Sequence, residues 1–376
     1  MANVFTTAAT LSKIVPIYYD KIFLETLEAN RVMVFRQFGV KKALPKREGN
    51  TVYWHAWTKL NKGKIISESS GNHPQYQGVS VRRVSARLYL FGDYAQITSF
   101  VDQVAINSVV EGAIRLFADA AAWTMDYICS RQLLWKKTAV SAMFEAASIS
   151  GTVGATNLLS ACGCVSATQF QAPMWIIDDL STRNKAFSAL NGASQATLLT
   201  PSIFRWAKLK FKVKMAKPFP NGHYKCIVHP DLVEQLRGSS AFIDLHKYTE
   251  SGHKLFDDGT IAGGKNIYPN NGLEGYLEGF DIYSSTEAPM CAVTNILTSA
   301  HGAGRYYFSF FFADGAYGVT DFNGGVQTFV KTPGPSDTSQ PLNIYSTVGY
   351  KAIATHAVLN TSACLWLVSG KPVTVG

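Results

Sequence analysis

Two cysteines separated by one residue, two glutamates four positions apart and a histidine before Pro-Asp are the residues here whose types and spacing could do chemistry. Cys162-Gly163-Cys164 offers two thiolates to a metal, but a tetrahedral site needs four ligands, and no second Cys or His pair stands at a matching spacing. Glu274 and Glu278 would share one helix face as a carboxylate pair of the glycosidase kind. Gly272, Gly275 and Gly279 argue against that helix, so solvated turn residues are expected instead. His229-Pro230-Asp231 copies the tripeptide by which co-chaperone J-domains engage their partner. Here it follows an apolar run, where Pro opens a helix and Asp favours its first turn. The chain contains no G-x-S-x-G, no G-x-x-x-x-G-K-[ST] and no H-E-x-x-H, and its eight histidines are dispersed. The sequence thus gives no reason to expect a catalytic, cofactor-binding or metal site.

The charged residues are more informative. The formal charge is +9, and residues 1–64 hold eleven Lys/Arg against four acids. Lys41, Lys42, Lys46 and Arg47 form one cluster; Arg205, Lys208, Lys210, Lys212, Lys214 and Lys217 form another that contains no acid. Such clusters suit phosphate backbones or acidic partners, and the second could equally be a solvated helix face. Charged residues make up only 16% of the chain while 47% are apolar. A low charged fraction in a chain of this length suggests surface that ends up covered by other subunits, although large enzymes can look the same. The 376 residues suit two compact units with extensions. The six cysteines show no disulfide framework, which points to a reducing cytosol. The opening residues lack the pattern of a signal peptide, and no run approaches the roughly 18 apolar residues of a membrane span.

These residues need elements to position them. Residues 13–38 mix apolar and charged positions at helical spacing and read as an arm with one short helix, too apolar to stay free in water; Tyr18, Phe23, Phe35 and Phe38 need a neighbour to cover them. From Thr51 to Thr98 the period becomes two, with the polar stretch Lys59 to Gln77 between two long strands. That pattern predicts an extended hairpin whose tip, carrying Lys59, Lys62, Lys64, Glu68, His73 and Tyr76, projects from the body. Residues 108–136 form the clearest helix, with Ser108 and Glu111 at capping-box spacing and a stripe including Leu116, Phe117, Trp123 and Tyr127 expected to face a core. It would be a rod of roughly 40 Å. Residues 147–200 read as an irregular spacer. Thr200 and Pro201 open a helix over 203–215; a strand at 223–229 and a helix at 231–237 follow. Strands are expected at 279–284, 305–312, 316–321, 347–359 and 363–368.

Ile14 to Glu25, Ala29-Asn30, Val34 to Phe38, Gly49 to Trp54 and Gly92 to Thr98 closely resemble segments of a family of podovirus-type major capsid proteins. So do His223 to Asp231 with Leu236-Arg237, Asp314 to Val319, Gln340 to Leu342 and Thr347 to Lys351. The matches run in order from about residue 11 to residue 369; the spacer 147–200 matches least. The resemblance implies the α+β fold of tailed-phage capsids and herpesvirus capsid floors. Residues 1–50 would be an N-arm, 51–100 an E-loop with flanking strands and 101–146 a peripheral domain with its spine helix. Residues 201–330 would form an axial domain, and 331–376 a linker with closing peripheral strands. It further implies self-assembly into hexamers and pentamers of an icosahedral shell around double-stranded DNA, in the virion after assembly in the host cytoplasm, without an enzymatic role, cofactor or membrane. The implied partners are a portal protein, decoration proteins, DNA held non-specifically and a separate scaffolding protein, the chain ahead of residue 51 being too short for a fused scaffold. The competing reading, a non-sequence-specific nucleic-acid-binding protein, explains the basic clusters but not the hairpin.

Overall fold

The computed structural model of the chain describes residues 22–23, 34–43, 49–57, 60, 62, 78–98, 100, 109–134, 174–176, 199–238, 273–293, 304–320, 326–331 and 345–372. The architecture is α+β.

The larger unit is a sheet ordered β5 (Met174–Ile176), β15 (Cys364–Pro372), β10 (Gly304–Phe312), β6 (Tyr224–Val228), β8 (Phe280–Ser284) and β7 (Leu273–Leu277), with β9 (Met290–Val293) also on β10. All five residues of β6 are buried, as are Phe308, Phe310, Phe311 and Phe312 of β10. Runs of this kind mark strands covered on both faces. Part of the cover comes from Phe204 and Phe211 of the helix Pro201–Val213, whose rings meet Phe311, Phe280 and Tyr224 at 5.0–6.2 Å. Thr200 is its N-cap and Pro201 occupies the first turn, as the spacing predicts.

The smaller unit is an antiparallel sheet ordered β12 (Val326–Lys331), β13 (Tyr345–Ala354) and β4 (Tyr89–Thr98). Alternate residues Val348, Tyr350 and Ala352 of its central strand pack on the helix α1 (Val109–Leu134), where Ala118, Ala121 and Ala122 let the backbone come close. We label the helix Pro201–Val213 α2 and the helix Pro230–Arg237 α3. A third sheet places β11 (Tyr317–Thr320) between β1 (Val40–Lys42), parallel to it, and β14 (His356–Val358).

The hairpin pairs β2 (Thr51–Trp57) with β3 (Val81–Arg87) from Thr51 opposite Arg87 to Trp57 opposite Val81. Val52 and Trp54 face Ala357 and Leu359, while Tyr53 and Trp57 point to solvent. The Trp54 indole lies against Gly318, at a distance no Cβ would permit.

Several expectations need correction. The second hairpin strand breaks at Leu88: β3 pairs within the hairpin, and β4 crosses into the small sheet. The closing strands divide between units, because β13 joins the small sheet whereas β15 pairs along the whole of β10. Conversely, β12 lies in the small sheet although its residues fall inside 201–330. The face of α1 is rotated from the expected stripe. Leu116 and Trp123 are 71% and 59% exposed, because the buried face is built of small residues that a search for large apolar ones passes over. Phe117 and Tyr127 are half-buried, Phe117 lying 6.0 Å from the Tyr350 ring. Ser108 lies outside the described residues, and Glu111 pairs with Arg115 at 3.6 Å.

Candidate assembly surfaces and a buried polar junction

The arm rings behave differently from the sequence expectation. Phe23 is buried against the small sheet, 5.7 Å from Tyr350, and Phe35 is fully buried with its ring edge-on to Phe310 at 5.2 Å. Phe38 is half-buried, 4.6 Å from Tyr283. The chain's own core covers Phe23 and Phe35 and packs against one side of Phe38; Tyr18 lies outside the described residues. Phe38 also walls a polar pair: Lys225 Nζ donates to the buried Asp281 and lies 5.4–5.6 Å from the rings of Phe38, Phe219 and Tyr283. Asn221 and His223 complete the shell around Asp281 at 2.8 and 2.7 Å.

Residues Val34–Gln37 are pinned where α1, the large sheet and β11 meet. Asp126 of α1 accepts the Phe35 N–H at 2.8 Å and the Ser285 hydroxyl at 3.0 Å, while Tyr317 donates its hydroxyl to the Phe35 carbonyl. Arg36 donates to the Thr320 carbonyl and faces His356 Nε2 at 3.4 Å. His356 Nδ1 lies 2.8 Å from Gln132 Oε1, an acceptor, so Nδ1 carries the proton and Nε2 accepts from Arg36. Burial, then the adjacent guanidinium, holds the imidazole well below its ordinary pKa. Asp126 is shifted the other way: burial raises its carboxyl to about 8, against the lowering effect of its bonds to Phe35 and Ser285.

The pH dependence follows from these two shifts. Below about pH 6.5 the unfolded histidine gains a proton that the folded one refuses, so folding weakens as pH falls. Between the ordinary carboxyl value of 3.8 and about 8, folded Asp126 keeps a proton that the unfolded chain has released, so folding weakens as pH rises. The two effects oppose each other below 6.5, and of the two only that of Asp126 persists above it. Urea unfolding of the chain should therefore show a loss on the order of 1 kcal/mol between pH 6.5 and 8. Asp126→Asn keeps the acceptor for Phe35 and should flatten that slope; a slope unchanged in the variant overturns the assignment.

Among the described residues, exposed large apolar side chains gather in four groups, apart from Val40, Phe100, Tyr276 and Met290. The hairpin presents Trp57 (72% exposed), Leu60, Val79 and Val81, and Tyr53 lies under the Arg83 guanidinium at 3.5 Å. The outer strip of α1 carries Leu116, Asp119 and Trp123, with the Trp123 indole donating to Glu287. The open face of the small sheet sets Phe329 and Tyr94 on either side of Gly349 in one cross-strand row, with Leu90 nearby. The outer face of α2 carries Leu209 and Val213. Patches of this kind mark interaction sites. The open sheet face escapes sequence reading, since a period of two says which residues share a face but not which face is covered.

Of the predicted hairpin-tip residues, Lys62 is described and exposed; Lys59, Lys64, Glu68, His73 and Tyr76 lie outside the described residues. Lys41 and Lys42 are exposed on β1, and Lys46 and Arg47 also lie outside. Cys162 and Cys164 fall there too, and among the described residues no group of three or more His, Cys, Asp or Glu could hold a metal. Glu274 and Glu278 are not a working pair: Glu274 lies on β7 and binds Arg237 at 2.9 Å, and Glu278 binds Arg205 at 2.7 Å. His229 caps α3, its Nδ1 accepting from the Asp231 N–H at 3.2 Å. No described helix is long and apolar enough to cross a membrane.

No family model matches the sequence, and no curated protein does. Solved structures do match. The capsid of Ralstonia phage GP4 superposes with a TM-score of 0.57 at 11% identity, covering 91% of this chain and 87% of that one. The capsid asymmetric unit of cyanophage Pam1 gives 0.55 at 13% identity over 92% and 93%, and the acid-stable capsid of Helicobacter pylori bacteriophage KHP30 gives 0.54 at 10% over 88% of each chain. At these identities the likeness is one of fold, and it spans nearly the whole molecule: this chain folds as those phage capsid chains do.

Proposed function

We propose that this chain is the major capsid protein of a tailed phage, assembling as hexamers and pentamers into a shell around double-stranded DNA. The observation that carries the reading, beside the shared fold, is a filled core accompanied by exposed aromatic surfaces on the projecting hairpin and on α1. A monomer gains nothing from Trp57 and Leu116 in water, whereas a repeating contact buries them in every copy. In this reading residues 1–50 are the N-arm and the hairpin is the E-loop. The small sheet with α1 is the peripheral domain, and the large sheet with β15 is the axial domain. The hairpin of one copy lies over the α1 strip of the next, where Asp119 and Glu287 face the cations Lys62, Arg82 and Arg83. Lys41 and Lys42, with Lys46 and Arg47, face DNA phosphates or an acidic partner, without reading sequence. A separate scaffold, a portal and decoration proteins complete the particle.

Electron microscopy tests this. Expressed with the neighbouring virion genes, the chain should yield closed shells of uniform size; a chain that stays monomeric under every such condition overturns the reading. Correctly sized shells from the purified chain alone would remove the scaffold from it.

A further inference from the structure

The helix α2 carries two seams. Ile203, Phe204, Ala207 and Phe211 face inward and are buried. On the opposite side Ser202, Trp206, Leu209 and Val213 recur at spacings of four, three and four, the interval of a coiled-coil seam. Ser202 and Trp206 are half-buried, Trp206 packing against the large core with Lys210 Nζ 5.3 Å from its ring, so the exposed apolar part of the seam is Leu209 and Val213, at 58% and 70%. The positions flanking this outer seam, which in a coiled coil select the partner by charge, are Arg205 and Lys212 on one side and Lys210 on the other. The helix contains no acid; Glu278, from the turn after β7, reaches Arg205.

We propose that the outer seam of α2 docks a helix of a different polypeptide, one with an apolar seam flanked by Asp or Glu. Charge and length argue against the described segments of a second copy. A second copy of α2 would set cations against cations. The hairpin of a neighbour brings Arg82, Arg83 and Lys62, again of like sign. The outer strip of α1, with Asp119 and the neighbouring Glu287, is already given to the hairpin, while α3, at eight residues, is too short to match the seam. Phosphate would pair with the cations but would leave Leu209 and Val213 in water. A seam of 13 residues, about 20 Å long, gives a contact of modest size that can be released later.

The inference rests on the shell reading for the source of its partner, and the test separates the two. A photo-cross-linking residue replaces Val213, and the chain is expressed with the neighbouring virion genes. Particles seen by microscopy report on the shell reading; tandem mass spectrometry of the cross-linked peptide reports on this one. The expected product is a peptide from another virion-gene polypeptide, with heptad apolar residues and a net negative charge. Lys212→Glu with Lys210→Glu should cut the cross-link yield at least tenfold, and replacing the partner's flanking acids with Lys should restore it. Cross-links to this chain itself, to DNA or to nothing overturn the proposal, as does a yield that the charge reversal leaves unchanged.

Discussion

Phe35→Ala should cost the folded chain about 3–5 kcal/mol, the range for truncating a fully buried aromatic ring. The ring stands edge-on to Phe310 at the heart of the large core, so its removal leaves a cavity that the strands on either side cannot close. The backbone of the same residue supplies one of the two hydrogen bonds to Asp126 and accepts from Tyr317. If the segment loosens, a buried carboxyl loses a donor and a buried phenol loses its acceptor, and each orphaned group adds to the cost. Phe38→Ala is the internal comparison: its ring is only half-buried and should cost less. Urea unfolding of the soluble variants measures both, and a loss under about 1 kcal/mol for Phe35→Ala would show that the arm is not part of the core.

How much of this was legible beforehand depends on which physical signal a residue obeys. Local signals read well. The Thr200-Pro201 start of α2, the His229-Pro230-Asp231 start of α3 and the alternation of Val52 and Trp54 with Tyr53 and Trp57 depend on neighbours in sequence, and they hold in the structure. Signals that depend on a distant partner do not read. Leu116 and Trp123 look like core because they are large, yet Ala118, Ala121 and Ala122 are what the small sheet can accommodate. Arg36, Asp126, Gln132 and His356 are dispersed polar residues in sequence, and only the fold brings them into one buried junction. For Phe23 and Phe35 the cover comes from the chain itself and not from a neighbour, for the same reason: apolarity says a ring must be covered, not by which chain. The strand β1 escapes sequence reading because its three residues, Val40 and the basic Lys41 and Lys42, are all exposed, and their pairing with β11 is fixed by the backbone.

The surfaces left over after that core is filled give the second large effect. Trp57→Asp on the hairpin and Leu116→Asp on α1 should each leave the soluble chain folded, since both side chains are mostly in water. Each should nonetheless abolish closed shells. Burying one such side chain is worth about 1.5–3 kcal/mol, and introducing a charge removes that gain and adds a desolvation cost. A shell repeats the contact in every subunit, so a loss that is minor for one pair multiplies through the closed assembly. If the hairpin of one copy covers the α1 strip of the next, the two changes remove the same contact. Their effects on subunit association in solution, measured by sedimentation, should then fall well short of additive in the double variant. Additive losses would place Trp57 and Leu116 in different interfaces. Shells that form normally from either single variant would show that these exposed side chains serve no contact between copies.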